Sequence, residues 1–153
     1  MFDVPGMHVL DVERGEDGLL LRVETDATVG GCPACGVVAV GHGRRRRRVA
    51  DAPCFGVPVR LVWSGRVWRC AEMACSTGTF TERHDLVAPR ARLTTRAIRW
   101  ATNALEHDDT TVSALARHLG VDWHTCWDAV EVQARRRVGD PARLAGGDHA
   151  GRR

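Results

Sequence analysis

No lysine occurs anywhere in the 153-residue chain, although 22 of its residues are basic. All of the positive charge is arginine, whose planar guanidinium grips phosphate or guanine through two parallel hydrogen bonds. Ala, Gly and Val are also abundant, the bias a GC-rich genome produces. Long apolar runs are missing as well. None approaches the roughly 20 residues that a spanning helix needs, which excludes a membrane-spanning helix. The N-terminus, MFDVPGMHVL, has no basic stretch followed by an apolar one. A signal peptide is not expected, and the expected compartment is the cytoplasm. There is no internal repeat and no nucleophile or paired-carboxylate motif. The acidic pairs Glu16-Asp17 and Asp108-Asp109 fall in an expected turn and a helix-end loop, where acids are ordinarily just solvated. No enzymatic activity is expected of the chain.

What is present is unevenly distributed. Residues 1–31 hold seven acids against two arginines, a net of −5, while the remainder carries a net of +8. Such asymmetry points to a polyanionic partner. HVLDVERGEDGLLLRVE reads as a β-hairpin turning at Asp17-Gly18. VPVRLVW and RVWRC are short, β-rich runs separated by Ser64-Gly65, which reads as a second hairpin. Beyond Pro89 the period changes. Thr94 caps a helix in which Ala97, Ile98, Ala101 and Leu105 recur at helical spacing. A second helix follows over 112–119, and a third over 123–137 ends at Gly139-Asp140-Pro141.

Six cysteines in a chain read as cytosolic suggest metal rather than disulfides. Cys32 and Cys35 form a CxxC turn followed by Gly36. Cys70 and Cys75 form a C-x4-C turn, within the spacing of structural zinc ligands. The four thiolates make a closed tetrahedral Zn2+ site with no open position, structural rather than hydrolytic. In small modules zinc supplies on the order of 10 kcal/mol of apparent folding free energy. Cys54 reads as an ordinary thiol in a turn, and Cys126 as a core residue of the third helix. His42 and His84 are not needed as ligands.

Two stretches suit nucleic acid. Arg44, Arg45, Arg46, Arg47 and Arg48 lead into a strand-like segment; if extended, they alternate between two faces, and neutralising phosphates there strengthens binding without reading sequence. VSALARHLGVDWHTCWDA has the form of a helix-turn-helix. Val112, Leu115, Ala116 and Leu119 make the apolar stripe, Gly120 the left-handed turn, and Asp122 the cap of the third helix. That helix turns Cys126 and Ala129 inward. It presents Trp123, His124, Thr125, Trp127 and Asp128 outward, groups able to touch bases in the major groove.

CPACG, the RRRRRVADAP that follows, GVPVRLVW, RVWRCAEMAC and TFTERHDLVAPRARLT together resemble the N-terminal zinc finger of the ISL-three family of insertion-sequence transposases, and the helix-turn-helix stands in that family's order. The resemblance covers roughly residues 5–140. It implies binding of double-stranded DNA at transposon ends, with Cys32, Cys35, Cys70 and Cys75 as the metal ligands. In that family a DDE catalytic domain follows; no carboxylate of this chain matches it, so the chain reads as a truncated transposase without its own catalysis. Self-association or pairing with a full-length transposase would follow from the resemblance.

The expected fold is α+β, a small β-rich, four-cysteine zinc-ribbon-like module (residues 1–88) followed by a three-helix helix-turn-helix domain (89–139), with 140–153 a disordered tail. The rival reading is a zinc-dependent protein–protein adaptor or transcriptional regulator.

Overall fold

The computed structural model describes residues 2–139; the tail expected to be disordered, 140–153, lies outside them. The chain runs through five strands and then three helices. The strands are β1 (Met7–Gly15), β2 (Gly18–Thr25), β3 (Val40–Cys54), β4 (Val57–Arg69) and β5 (Thr79–Thr81). The helices are α1 (Thr95–His107), α2 (Val112–Leu119) and α3 (Trp123–Val138).

β1 and β2 form the expected hairpin, with Gly15 opposite Gly18. The second expected hairpin is corrected. Ser64-Gly65 is not a turn: 57–69 is one continuous strand, and Ser64 and Gly65 pair with Arg46 and Arg45 across it. Long-range pairing with the arginine run keeps this dipeptide extended, and the Trp63 ring lies 3.4 Å from where a Cβ on Gly65 would sit. The reversal comes instead at Phe55-Gly56, between the paired residues Cys54 and Val57. Both turn residues have positive φ, 53° and 76°, as a two-residue turn needs in order to match the twist of its strands. The sheet order is β1-β2-β4-β3. β2 runs parallel to the first half of β4, and β5 pairs antiparallel with its second half.

Two cores meet at β3. On one face of the sheet, Val23, Val49, Val59, Leu61 and Trp63 pack with Leu86 and Val87. The other core is helical, yet it contains Ala50 of β3 alongside Leu93, Ala97, Leu115, Leu119, Cys126 and Val130. Alternation along the strand accounts for this, since Val49 and Ala50 face opposite ways. The backbone is joined at the same point. Ala50 N–H donates to the Arg92 carbonyl (2.8 Å) and Thr94 N–H to the Ala50 carbonyl (2.9 Å).

The helices follow local signals. Thr94, Thr111 and Asp122 cap α1, α2 and α3, each accepting from the backbone N–H three residues on. Gly120 takes the left-handed conformation expected of it (φ 62°). It has a second constraint, because a Cβ there would stand 3.1 Å from the Pro58 Cβ. The helix-turn-helix turn is thus seated on the start of β4, where Arg60 donates to the Gly120 carbonyl. Among the described residues, no helix is long and apolar enough to cross a membrane.

Candidate metal centre and nucleic-acid interface

The β3–β4 hairpin brings the two cysteine turns together. Val40, at the start of β3, pairs with Arg69 at the end of β4. The first turn therefore lies beside the second, and the Sγ atoms of Cys32, Cys35, Cys70 and Cys75 converge within 4.8 Å of one another. Cys32 and Cys75 sulfurs stand 3.8 Å apart, and those of Cys35 and Cys70 3.5 Å. A tetrahedron with metal–sulfur bonds of about 2.3 Å requires sulfurs about 3.8 Å apart. Each sulfur also receives backbone N–H groups. Cys35 and Ala34 donate to Cys32, Val37 to Cys35, and Glu72 to Cys70. Thr77 donates to Cys75 at 3.4 Å. Gly36, at φ 75°, permits the first turn to curl in this way.

The electrostatics fit a cation at the centre. The N–H groups of Cys35 and Ala34 lower the Cys32 thiol to about 6. At Cys70 the Glu72 N–H acts in the same sense, but burial and the sulfurs of Cys35, Cys32 and Cys75 outweigh it and push the thiol up to about 12. Four thiols at contact distance cannot all ionise side by side, whereas a divalent cation stabilises them all as thiolates. Behind the first turn, Trp68 lies against Gly30, where a Cβ would meet the indole at 2.9 Å. Neither histidine joins the cluster. His84 Nδ1 accepts from Leu86 N–H, and its Nε2 donates to the Pro5 carbonyl (3.0 Å). Cys126 is fully buried in the helical core.

The five arginines all lie on β3 but fall into two groups. Arg44 is held by Glu24. Arg47 donates to the carbonyls of Ala88 and Ala91 (3.2 and 3.3 Å) and lies 6.0 Å over the Trp63 ring. Arg45, Arg46 and Arg48 are exposed, and their side chains have no hydrogen-bond or ionic partner among the described residues. Arg48 lines a cleft of about 440 Å3 with Arg60, Arg92, Gly120, Asp122 and Thr125, between the sheet and the start of α3.

On α3, Trp123, His124, Trp127 and Asp128 are exposed and Thr125 is half-buried. The Thr125 hydroxyl is already engaged. It donates to the Asp122 carboxylate (2.7 Å) and accepts from Arg92 (2.9 Å). Asp122 is correspondingly held below the usual carboxylate range, first by the Thr125 backbone N–H, then by its hydroxyl. The Arg92 contact escapes sequence reasoning because it joins residues 33 positions apart.

Sequence reasoning also misses the link between the two halves. Asp51 is completely buried. It accepts from the Thr94 hydroxyl (2.6 Å) and from Arg96 Nε (2.8 and 3.0 Å), while that same hydroxyl caps α1. The one sequence signal is an acid standing in the apolar stretch VADAP.

Residues 28–75 match the zinc-finger of transposase IS204/IS1001/IS1096/IS1165, and residues 82–131 match the helix-turn-helix domain of transposase family ISL3. Both segments are thus domains of ISL3-family transposases. The two matched segments follow one another in the expected order. The zinc-finger match includes all four clustered cysteines together with β3 and β4, and the helix-turn-helix match includes α1, α2 and the first half of α3. The acidic β1–β2 hairpin lies ahead of both, so the matches are narrower than the 5–140 expected. No curated protein and no solved structure matches the chain.

Proposed function

We propose that this chain binds double-stranded DNA at transposon ends, and that the β-rich part (residues 1–88) and the helical part (89–139) act as one DNA-binding unit. The observation that carries the reading is the seating of the helix-turn-helix on the arginine strand. Arg48 and Arg92 flank the first turn of α3 across a shared cleft, and Ala50 between them belongs to the helical core. A helix entering the major groove would bring the phosphates beside it within reach of this strand. Arg46 and Arg48, on the face of β3 that carries Ala50, would contribute affinity, while His124 and Asp128 would contribute sequence preference, since phosphate contacts position and base contacts specify. Arg44 and Arg47 would mainly brace the sheet.

The ion at the cysteine cluster is Zn2+ in this reading, held by Cys32, Cys35, Cys70 and Cys75. Four thiolates close the coordination sphere, so the metal shapes the sheet's far end and takes no part in chemistry.

The test is a fluorescence-anisotropy titration with a labelled duplex carrying a transposon end and a scrambled duplex of the same length. Alanine at His124 and Asp128 together should reduce the preference for the end sequence roughly tenfold or more. Affinity for the scrambled duplex should stay unchanged. Equal weakening on both duplexes would mean that α3 does not read bases.

A further inference from the structure

The outward face of α3 carries an unusual feature for a surface helix. Trp123 and Trp127 are 43% and 38% exposed. Their rings stack with centroids 5.6 Å apart and planes 12° from parallel, and His124 stands edge-on to Trp123 at 5.2 Å. The indoles hold one another in place, so little side-chain freedom remains to be lost on binding.

From this pair we infer that α3 selects thymine, through contact of the two indoles with thymine 5-methyl groups in the major groove. The inference rests on the reading of α3 as the helix that meets DNA. The methyl of thymine is the apolar group which that groove displays; every other base edge there offers hydrogen-bond donors or acceptors. The stack turns the two ring faces on one another, so the indoles meet the groove with their exposed edges; against a cytosine or adenine amino group such an edge would strip it of water and accept no hydrogen bond. Laid on a thymine methyl, it buries apolar surface on both sides. Residues four apart on a helix are about 6 Å apart along its axis, and stacked bases rise about 3.4 Å per step. The two indoles therefore address thymines one or two steps apart.

The surroundings favour DNA over a protein partner as the occupant. Interface cores are depleted of charge, but here Asp122, His124 and Asp128 share the exposed surface with the indoles. Arginine stands at both ends of the helix. Arg92 reaches Asp122 at 3.6 Å; in the last turn Arg135 is paired with Glu131 and Arg137 with Glu106, which leaves Arg136 as the cation there without an ionic partner among the described residues.

The test uses the full chain with its metal and a random-sequence duplex pool roughly two helical turns long. Duplexes enriched by binding are resynthesised with uracil at each thymine in turn, which removes the methyl and alters no hydrogen-bonding group. Two positions, one or two steps apart, should each lose about fourfold in affinity, the worth of one buried methyl. Trp123→Ala should abolish the loss at one position and Trp127→Ala at the other. Both variants should keep the wild-type melting transition and bound metal, which reports that they are folded. Uracil duplexes binding as tightly as thymine ones would overturn the inference and leave DNA binding standing. So would a uracil effect that survives in both variants, or tryptophan variants that change only the sedimentation of the protein, which would make the pair a contact between copies. A protein that enriches no duplex would remove the DNA reading and this inference together.

Discussion

Cys70→Ser should yield a protein that holds no metal and has lost order around both cysteine turns, whereas Cys54→Ser should behave as wild type. The reason is how little else holds that end of the sheet. Between residues 26 and 39 only Cys32 and Ala39 are buried, and none of residues 70–79 is. Val29 is 80% exposed and Met73 99%. The first turn has three backbone hydrogen bonds, from Cys32 N–H to Val37, Gly36 N–H to Cys32 and Ala39 N–H to Gly30, and the second has two, from Cys70 N–H to Gly78 and Cys75 N–H to Glu72, all of them on exposed loops. With so little apolar surface buried, the four metal bonds are the main attraction opposing the chain entropy of both loops. Native mass spectrometry of the wild type should show one ion per chain, about 63 Da above the metal-free mass once displaced protons are subtracted. Amide hydrogens of Val37, Thr77 and their neighbours should exchange far faster in Cys70→Ser than in Cys54→Ser. Equal protection in the two variants would mean that the turns fold without the ion.

Asp51→Ala should be the most destabilising single change outside the cysteine cluster. Removing the carboxylate leaves Arg96 half-buried without its counter-charge and takes away the acceptor that orients the Thr94 hydroxyl toward the start of α1. Breaking one partner of a buried ion pair costs about 3–5 kcal/mol, a large share of the roughly 5–15 kcal/mol by which domains are stable. The same change should loosen α1 from β3, because Asp51 and Ala50 are where the two halves meet. Urea unfolding gives the measure. The pair also predicts a coupling. Asp51→Ala combined with Arg96→Ala should cost clearly less than the sum of the two single changes, since the second removes the stranded charge. Strict additivity would show that the two groups stabilise the fold independently.

These two sites differ in how far they could be read from sequence, and the difference is physical. The cysteine quartet and the helix caps are local. Cys32-x-x-Cys35, Cys70-x4-Cys75, Thr94, Asp122 and the left-handed Gly120 each act through residues a few positions away, so spacing and residue type suffice to find them. The helix-turn-helix boundaries at 112–119 were legible for the same reason. What escaped depends on strand pairing over long separations. Ser64-Gly65 looks like a turn until Arg45 and Arg46 are known to pair across it. The arginine run looks uniform until Glu24 takes up Arg44 and the carbonyls of Ala88 and Ala91 take up Arg47. Asp51 looks like a strand-end acid until the fold encloses it. The Trp123–Trp127 stack lies between these cases: the spacing of four puts both on one face, but the parallel, exposed arrangement of the rings depends on the folded helix and its neighbours.

The central claim, that the arginine strand and the helix-turn-helix form one DNA-binding surface, is tested most directly by salt dependence. Affinity for a single duplex, measured by anisotropy from about 50 to 200 mM salt, falls with a slope proportional to the number of phosphates neutralised. Replacing Arg46 and Arg48 together by Gln should flatten that slope by about 2, while the melting transition stays where it is in the wild type. A variant with the wild-type slope would contradict the account, because the strand would then be solvated arginine and the helices would bind DNA, if at all, without it.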